Sequence, residues 1–425
     1  MTDCATDHAL RRVLARLAYY RRNITTAPLC VEQTAAVPKY TRSQMVPTAT
    51  RGFLIFLAVA LNAWPLFDRD RPARLVVAAR AQSTAAAPFF EDETLNPESP
   101  HAMSHVASIA ELFGGGLAAV WYAGSREGAG DVAIYFSVQP SDDIRWSPPR
   151  AIVTRATATR DLRRYVRKVG NPVLFSDADG RLWLIYVTVS IGGWSGSSLN
   201  VTMSDNEGRT WTRSRRLTLS PFLNLSELVK NAPAALSDGG WAVPIYHEFV
   251  ATFPEVLWLH RRRGEVVATK SRMSAGWYGY QPAITPIDTA RALALLRDDD
   301  PPRTVSIARS EDAGRTWSAP QRIELPNPDS GLDAIRMTDG RLLLAFNDSP
   351  GGRENLRLAI SDDEGRTWSR VATLAEERGG DFSYPFLMQA RSGDVHLVYT
   401  WQRTQIRHVT FNTRWLDEHS GGSLR

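Results

Sequence analysis

The chain has 425 residues, 43% hydrophobic and 22% charged, with 29 Gly, 25 Pro and a formal net charge of +5. That is a globular balance rich in turns, with apolar mass for a large core. Lysine and arginine are scattered apart from short runs such as LRRYVRK and HRRRG, which argues against a nucleic-acid stripe and leaves room for a basic site that takes an acidic ligand.

The two cysteines, Cys4 and Cys30, both precede the first structured stretch, no Cys–His metal spacing occurs, and cysteine usage leaves the redox compartment open. An apolar run follows in RGFLIFLAVALNAWPLF, downstream of a basic, acid-poor stretch. It is short of the roughly 20 residues of a spanning helix and suits a signal-peptide core. AARAQS offers a cleavage site after Ala81, although DRDRPAR intervenes; an uncleaved membrane anchor through residues 53–67 is the alternative. Residues 1–44 are then a cytoplasmic tail, or lie upstream of a true start at Met45. Both readings send the remainder to the periplasm or outside, and divide the chain into an N-terminal extension, 1–84, and a domain over 100–415.

From residue 100 onward the chain reads as short strands: LAAVWYA, VAIYFSV, LWLIYVTV, WAVPIYH, ALALL, LLLAFN and VHLVYTW, split by Gly, Asp and Pro. Helical periodicity is nearly absent, so the class is all-β. A longer unit recurs, an apolar pair after a polar residue, then an Asp-Gly turn, then a strand. GNPVLFSDADGRLWLIYV at 170 is the clearest copy, and others start near 104, 230, 280, 330 and 383. Six units of about four strands predict a six-bladed β-propeller behind an N-terminal signal or anchor extension. The residues that begin the inner strands, His105, Asn171, Asn231, Gln281, Asp333 and Tyr384, are all polar and are expected to ring one mouth of the central channel.

Three strings punctuate the units: SDNEGRTW at 204, SEDAGRTW at 310 and SDDEGRTW at 361. Ser and Asp side chains can bond turn backbone, Gly supplies a positive φ, and Trp packs under the blade. Asp312 and Asp363 are therefore structural staples, and Asn206 is a tolerated variant.

That S-x-D-x-G-x-T-W turn, in a six-unit array, is the Asp box, and residues 100–411 resemble the sialidase-like (BNR-repeat) proteins of bacteria. The resemblance implies a sialidase-like propeller and an exo-α-sialidase type of glycoside hydrolase acting on an acidic sugar of a glycan. Such a site binds a substrate carboxylate through three arginines, attacks with a tyrosine paired to a glutamate, and protonates with an aspartate. A neutral tyrosine can approach an anomeric centre beside a carboxylate without charge repulsion, and arginine offers a bidentate fork. Arg297, closing a strand before an Asp box, and Arg353, in R-x-x-L before the next, match two of the arginines. Tyr384 in DFSYPFL matches the nucleophile, and Asp131 in GSREGAGDVAIYF the acid, with Arg126 and Glu127 on the same loop. His105 stands where the first arginine belongs and Gln281 where the glutamate belongs, and Gln cannot accept the tyrosine proton; Glu227 or Glu248 could substitute if turned inward.

Three readings follow. A hydrolase uses Tyr384 and Asp131. A uronate lyase on the same propeller uses His105 or Tyr384 as base. A non-catalytic propeller binds glycan through Arg297, Arg353, Gln281, Asn171, Asn231 and Arg126. No metal cluster or phosphate loop is present, FGGGLAAVW lacking the helix that dinucleotide binding requires, so no cofactor is expected. The expected partner is an acidic glycan or polysaccharide.

Overall fold

The computed structural model describes residues 73–77, 87–220, 224–249, 251–273 and 279–420. The cysteines, Met45, the apolar run 53–67 and Ala81 lie outside the described residues, and with them the export and anchoring expectations. Among the described residues no helix is long and apolar enough to cross a membrane.

Six antiparallel sheets follow one another along the chain, each running from an inner to an outer strand. The first blade is Met103–Glu111, Leu117–Gly124, Ala133–Gln139 and Arg150–Thr154; the second runs from Lys168–Ser176 to Arg215–Arg216. The third has a broken inner strand, Leu228–Val229 and Ala234–Ala235, before Trp241–His247, Phe253–Arg262 and Glu265–Arg272. The fourth spans Tyr280–Pro286 to Gln321–Pro326 and the fifth Asp333–Arg336 to Ser369–Glu376. Second strands such as Leu117–Gly124 and Leu182–Val189 are buried on both faces, because each blade packs between two neighbours. They read as unbroken apolar runs for that reason, whereas the outer strand Glu265–Arg272 alternates with one face in solvent.

The sixth blade closes the ring. Its strands Phe382–Gln389, Val395–Trp401 and Gln405–Phe411 are completed by Phe90–Thr94, paired from Phe90↔Phe411 to Thr94↔Arg407. The sequence places the propeller start at 100 and misses this strand, whose FEDET carries no apolar alternation. It is held instead by polar contacts, Glu93 accepting from Trp146 Nε1 at 2.8 Å and meeting His408 at 2.9 Å.

The residue-84 boundary is crossed as well. Residues 73–77 belong to the same compact unit as the propeller. They run over the third and fourth blades: Leu75 N donates to Thr289 O (2.9 Å), Val76 N to Ala235 O (2.8 Å), and Ser237 N to Arg74 O (2.8 Å). Leu75 is 2% exposed, in a cluster with Leu236, Ile284 and Met273.

All three Asp boxes lie in the turn between the third and fourth strands of their blades. Ser361 Oγ donates to Asp363 (2.8 Å) and accepts from Gly365 N (2.8 Å), while Thr367 donates through both N (2.9 Å) and Oγ1 (2.7 Å) to Asp363. Ser310, Asp312 and Thr316 repeat this. In the first box the Asn206 amide donates to Thr210 Oγ1 at 2.8 Å, reversing one bond and keeping the shape. Gly208 sits at φ 81°, where a Cβ would lie 2.1 Å from Phe136. The tryptophans also reach further than one blade: Trp211, from the second, meets Phe136 of the first at 5.6 Å, ring to ring.

Candidate functional site

Four inner strands carry a bulge at the same height, marked by register shifts between His105/Ser108, Gly170/Val173, Tyr280/Ala283 and Ser383/Phe386. The extra residue takes a left-handed backbone in each: Val106 (φ 46°), Asn171 (46°), Gln281 (49°) and Tyr384 (55°). Non-glycine residues in this region cost about 1–3 kcal/mol each, and such strain gathers where a side chain must be re-aimed. Asn171, Gln281 and Tyr384 therefore take equivalent bulge positions on their inner strands.

His105, Asn231 and Asp333 do not. His105 falls one residue before its bulge, and Val106 takes the bulge position. The imidazole is 2% exposed, with Nδ1 3.1 Å from Thr400 Oγ1 and its ring edge-on to Tyr384 (4.9 Å between centroids) and Tyr122 (5.7 Å). Burial, with the charges of Arg403 and Arg353, lowers its pKa to about 3, so it is neutral and replaces neither an arginine nor a proton shuttle. Asn231 turns inward and donates to Pro282 O (2.9 Å) and Gln281 O (3.3 Å). Asp333 accepts from Ala334 N (3.0 Å) and Leu387 N (2.8 Å).

Around Tyr384 the structure gathers three guanidiniums. Arg353 lies 5.3 Å from the Tyr384 ring centre and donates to Asp329 O at 3.3 Å. Arg297, 6% exposed, donates to Asp329 Oδ1 (2.9 Å), Asp329 O (2.7 Å) and Gln281 Oε1 (2.8 Å), and its guanidinium lies 4.4 Å from the Tyr280 ring. Burial alone would lower its pKa, but Tyr280, Tyr384 and Asp329 outweigh that and raise it. The third, Arg403, escaped the sequence reading. It sits in the hairpin turn of the sixth blade, where Gln402 (φ 51°) and Arg403 (56°) adopt the paired positive φ that Asn-Gly would ordinarily announce. Its Nε donates to Asp381 (2.8 Å) and its Nη1 to Glu127 (3.1 Å).

Asp131 is not with them. Its carboxylate accepts from Ser125 N (2.8 Å) and Oγ (2.9 Å), bonds that hold its pKa below the ordinary value, and it is fully exposed near His101 and Tyr135. It pins the loop; Glu127, four residues earlier, is the carboxylate that reaches the site, while Arg126 is exposed on the same loop. Glu127 also accepts from Trp194 Nε1 at 3.1 Å, and Lys168 Nζ stands 4.2 Å over that indole. Trp194 packs against Gly170, where any Cβ would come within 2.7 Å of the ring.

Gln281 is fully engaged, accepting from Arg297 and donating to Tyr246 Oη at 2.8 Å. Of its two possible replacements, Glu227 is spent on Lys270 (3.3 Å), which it shares with Glu255. Burial pushes Glu227 up to about 7, against the pull of Lys270. Glu248 is the one whose charge reaches Tyr246 and Tyr280. No group of metal-ligating side chains occurs among the described residues. A separate cavity of about 380 Å³ opens at the other ends of the inner strands, lined by Phe113, Phe175, Trp241, Phe386 and Met388, and holds none of this chemistry.

Solved structures share this scaffold. A Hadza microbial sialidase superimposes with a TM-score of 0.62 at 19% identity, over 74% of this chain and 66% of that one. The intramolecular trans-sialidase of Ruminococcus gnavus, in complex with oseltamivir carboxylate, gives 0.60 at 14%, over 76% and 97%. The sialidase of Trypanosoma rangeli gives 0.59 at 13%, over 75% and 56%. At these identities the likeness is one of fold. No curated protein matches the chain by sequence. The BNR repeat-like domain family matches residues 115–397, two thirds of the chain. The chain belongs to that family.

Proposed function

We propose that the protein is a glycoside hydrolase that removes an acidic sugar from a glycan at the Tyr384 mouth. The convergence of Arg297, Arg353 and Arg403 on Tyr384 carries this reading. In it, Arg353 and Arg403 meet the substrate carboxylate, Tyr384 attacks the anomeric carbon, and Glu127 protonates the departing oxygen in place of Asp131. Gln281 cannot take the tyrosine proton, and Glu248, whose charge reaches the neighbouring Tyr246, is the acceptor the reading assigns. The test is incubation with a panel of acidic and neutral glycans. Release of a free acidic sugar, lost in Tyr384→Phe, is expected; release of neutral sugars alone defeats the proposal.

One observation favours a second reading. Gln281, bonded on both sides in the place of a catalytic carboxylate, suits a propeller that binds an acidic glycan without cleaving it, and then Tyr384→Phe leaves affinity intact. The lyase reading is left with Tyr384 as its base, because His105 is buried with its pKa lowered to about 3.

We also propose export, on the basic flank and the apolar run 53–67. A periplasm-dependent reporter fused after residue 90 is expected to be active, and a reporter active only in the cytoplasm would refute export.

A further inference from the structure

Beneath the mouth, in the axial channel, lies a lysine the proposed chemistry does not use. Lys230 is 2% exposed, and its ammonium donates to Asn231 Oδ1 (2.6 Å), to Leu332 O (2.8 Å) and to Pro385 O. Those are all three of its protons. Asp333, also 2% exposed, supplies the opposing charge. Burying a charge costs free energy that apolar packing of the same volume would not, so the retention of Lys230 calls for another account.

The partners supply it. Pro385 follows Tyr384 directly, and Asp333 accepts from Leu387 N two residues further on. Lys230 and Asp333 thus hold the Pro385 carbonyl, within the sixth-blade bulge, and the Leu387 amide just after it. Asn231, oriented by Lys230, grips the carbonyls of Gln281 and Pro282 in the fourth-blade bulge. We infer that Lys230, with Asn231 and Asp333, is a positioning residue that clamps the two left-handed bulges from inside the channel and so fixes where Tyr384 and Gln281 point. It rests on the hydrolase reading only for its kinetic consequence, since the geometry is present without substrate.

The experiment places 3-fluorotyrosine at position 384, and separately at 399 in the neighbouring strand, and records fluorine NMR of the full chain without ligand. Single truncation would strand a buried charge, so the variant is the double Lys230→Met/Asp333→Asn. The 384 resonance is expected to shift and broaden while the 399 resonance stays in place. Where wild type turns substrate over, kcat falls about 100-fold with KM within about twofold, the penalty of a misplaced reacting group. Should the double variant fail to fold, Asn231→Ala decides. It keeps both charges, and 3-fluorotyrosine at 246, bonded to Gln281, is expected to move. An unmoved 384 resonance in the folded double variant overturns the inference, as does an unmoved 246 resonance in Asn231→Ala. Absence of turnover in wild type would instead sink the hydrolase reading and leave this one standing.

Discussion

Processing after Ala81, as AARAQS suggests, would remove residues 73–77, which the structure shows packed into the propeller. Leu75 is buried in the cluster it shares with Leu236 and Ile284, and the segment makes backbone bonds to Thr289, Ala235 and Ser237, with Arg315 Nη2 donating to Ala73 O at 2.8 Å. Truncating a buried leucine to alanine costs about 2–5 kcal/mol, the spread reflecting how far the site can collapse. The bonds of the segment add little net, because ordering five residues costs about as much as those bonds return. The leucine therefore dominates. Melting is compared for the chain from residue 73, the same chain with Leu75→Ala, and the chain from residue 82. Both altered proteins are expected to fall by several degrees, given about 2–4 °C per kcal/mol in domains of 150–250 residues and somewhat less in a larger one. A chain from residue 82 that melts with the parent would refute the strap and restore Ala81 as a workable mature boundary. N-terminal sequencing of exported protein gives the matching check: the mature start is expected before residue 73.

Arg353→Ala is expected to weaken an acidic glycan at least tenfold by calorimetry with little change in melting, whereas Arg297→Ala, which removes hydrogen bonds from Asp329 and Gln281, is expected to cost about 1–3 kcal/mol of stability; equal melting of the two would contradict this division. Because Glu227 is raised from 4.5 to about 7, the folded state keeps a proton that the unfolded chain releases between those values. Its contribution is complete below pH 4.5 and is lost as pH rises through 7, by at most about 1.4 kcal/mol per pH unit, and Glu227→Gln is expected to flatten the melting profile over that window. Asp363→Ala is expected to cost about 1–3 kcal/mol in urea titration and Asp363→Asn under 1, as the intact turn at Asn206 implies; equal losses would mean that charge, not shape, holds the box.

What was legible in the sequence follows from how each feature is encoded. The blades were, because strands packed between neighbours become continuous apolar runs, and the Asp boxes were, because one turn geometry demands Ser, Asp, Gly, Thr and Trp at fixed offsets. Arg297 and Arg353 were read from their places before those boxes, and Tyr384 from the start of the last inner strand. His105 was misplaced by one residue, since a bulge shifts which side chain reaches the mouth and leaves no mark in composition. Arg403 was missed because its turn takes positive φ with Gln and Arg, and Glu127 lost to Asp131 because hydrogen bonds to Ser125 are invisible in a string. Residues 73–77 and 90–94 lie far in sequence from the blades they join.

The charges at the mouth bear on what it can hold. Arg297 has committed its fork to Asp329 and Gln281, and Arg403 has committed Nε and one Nη to Asp381 and Glu127. Arg353 makes one longer bond, to a carbonyl. A ligand carboxylate therefore meets Arg353 first, and can add a second guanidinium by bonding Arg403 Nη2, by turning Arg403 from Glu127, or by drawing Arg297 from Asp329. Drawing Arg403 is the cheaper move, because its side chain is 43% exposed against 7% for Arg297, and exposed ion pairs contribute at most about 1 kcal/mol. Turning Arg403 away also releases Glu127 from that ion pair, and on the proposed hydrolase reading Glu127 is the carboxylate that gives the proton. Substrate binding and the release of the acid are then one event, and Arg403→Ala should uncouple them. It is expected to weaken binding of an acidic glycan severalfold and to leave an acid whose pH–rate profile no longer depends on a bound carboxylate. If Arg403→Ala binds, turns over and titrates like wild type, the ligand does not displace Glu127, and Arg353 alone carries its charge.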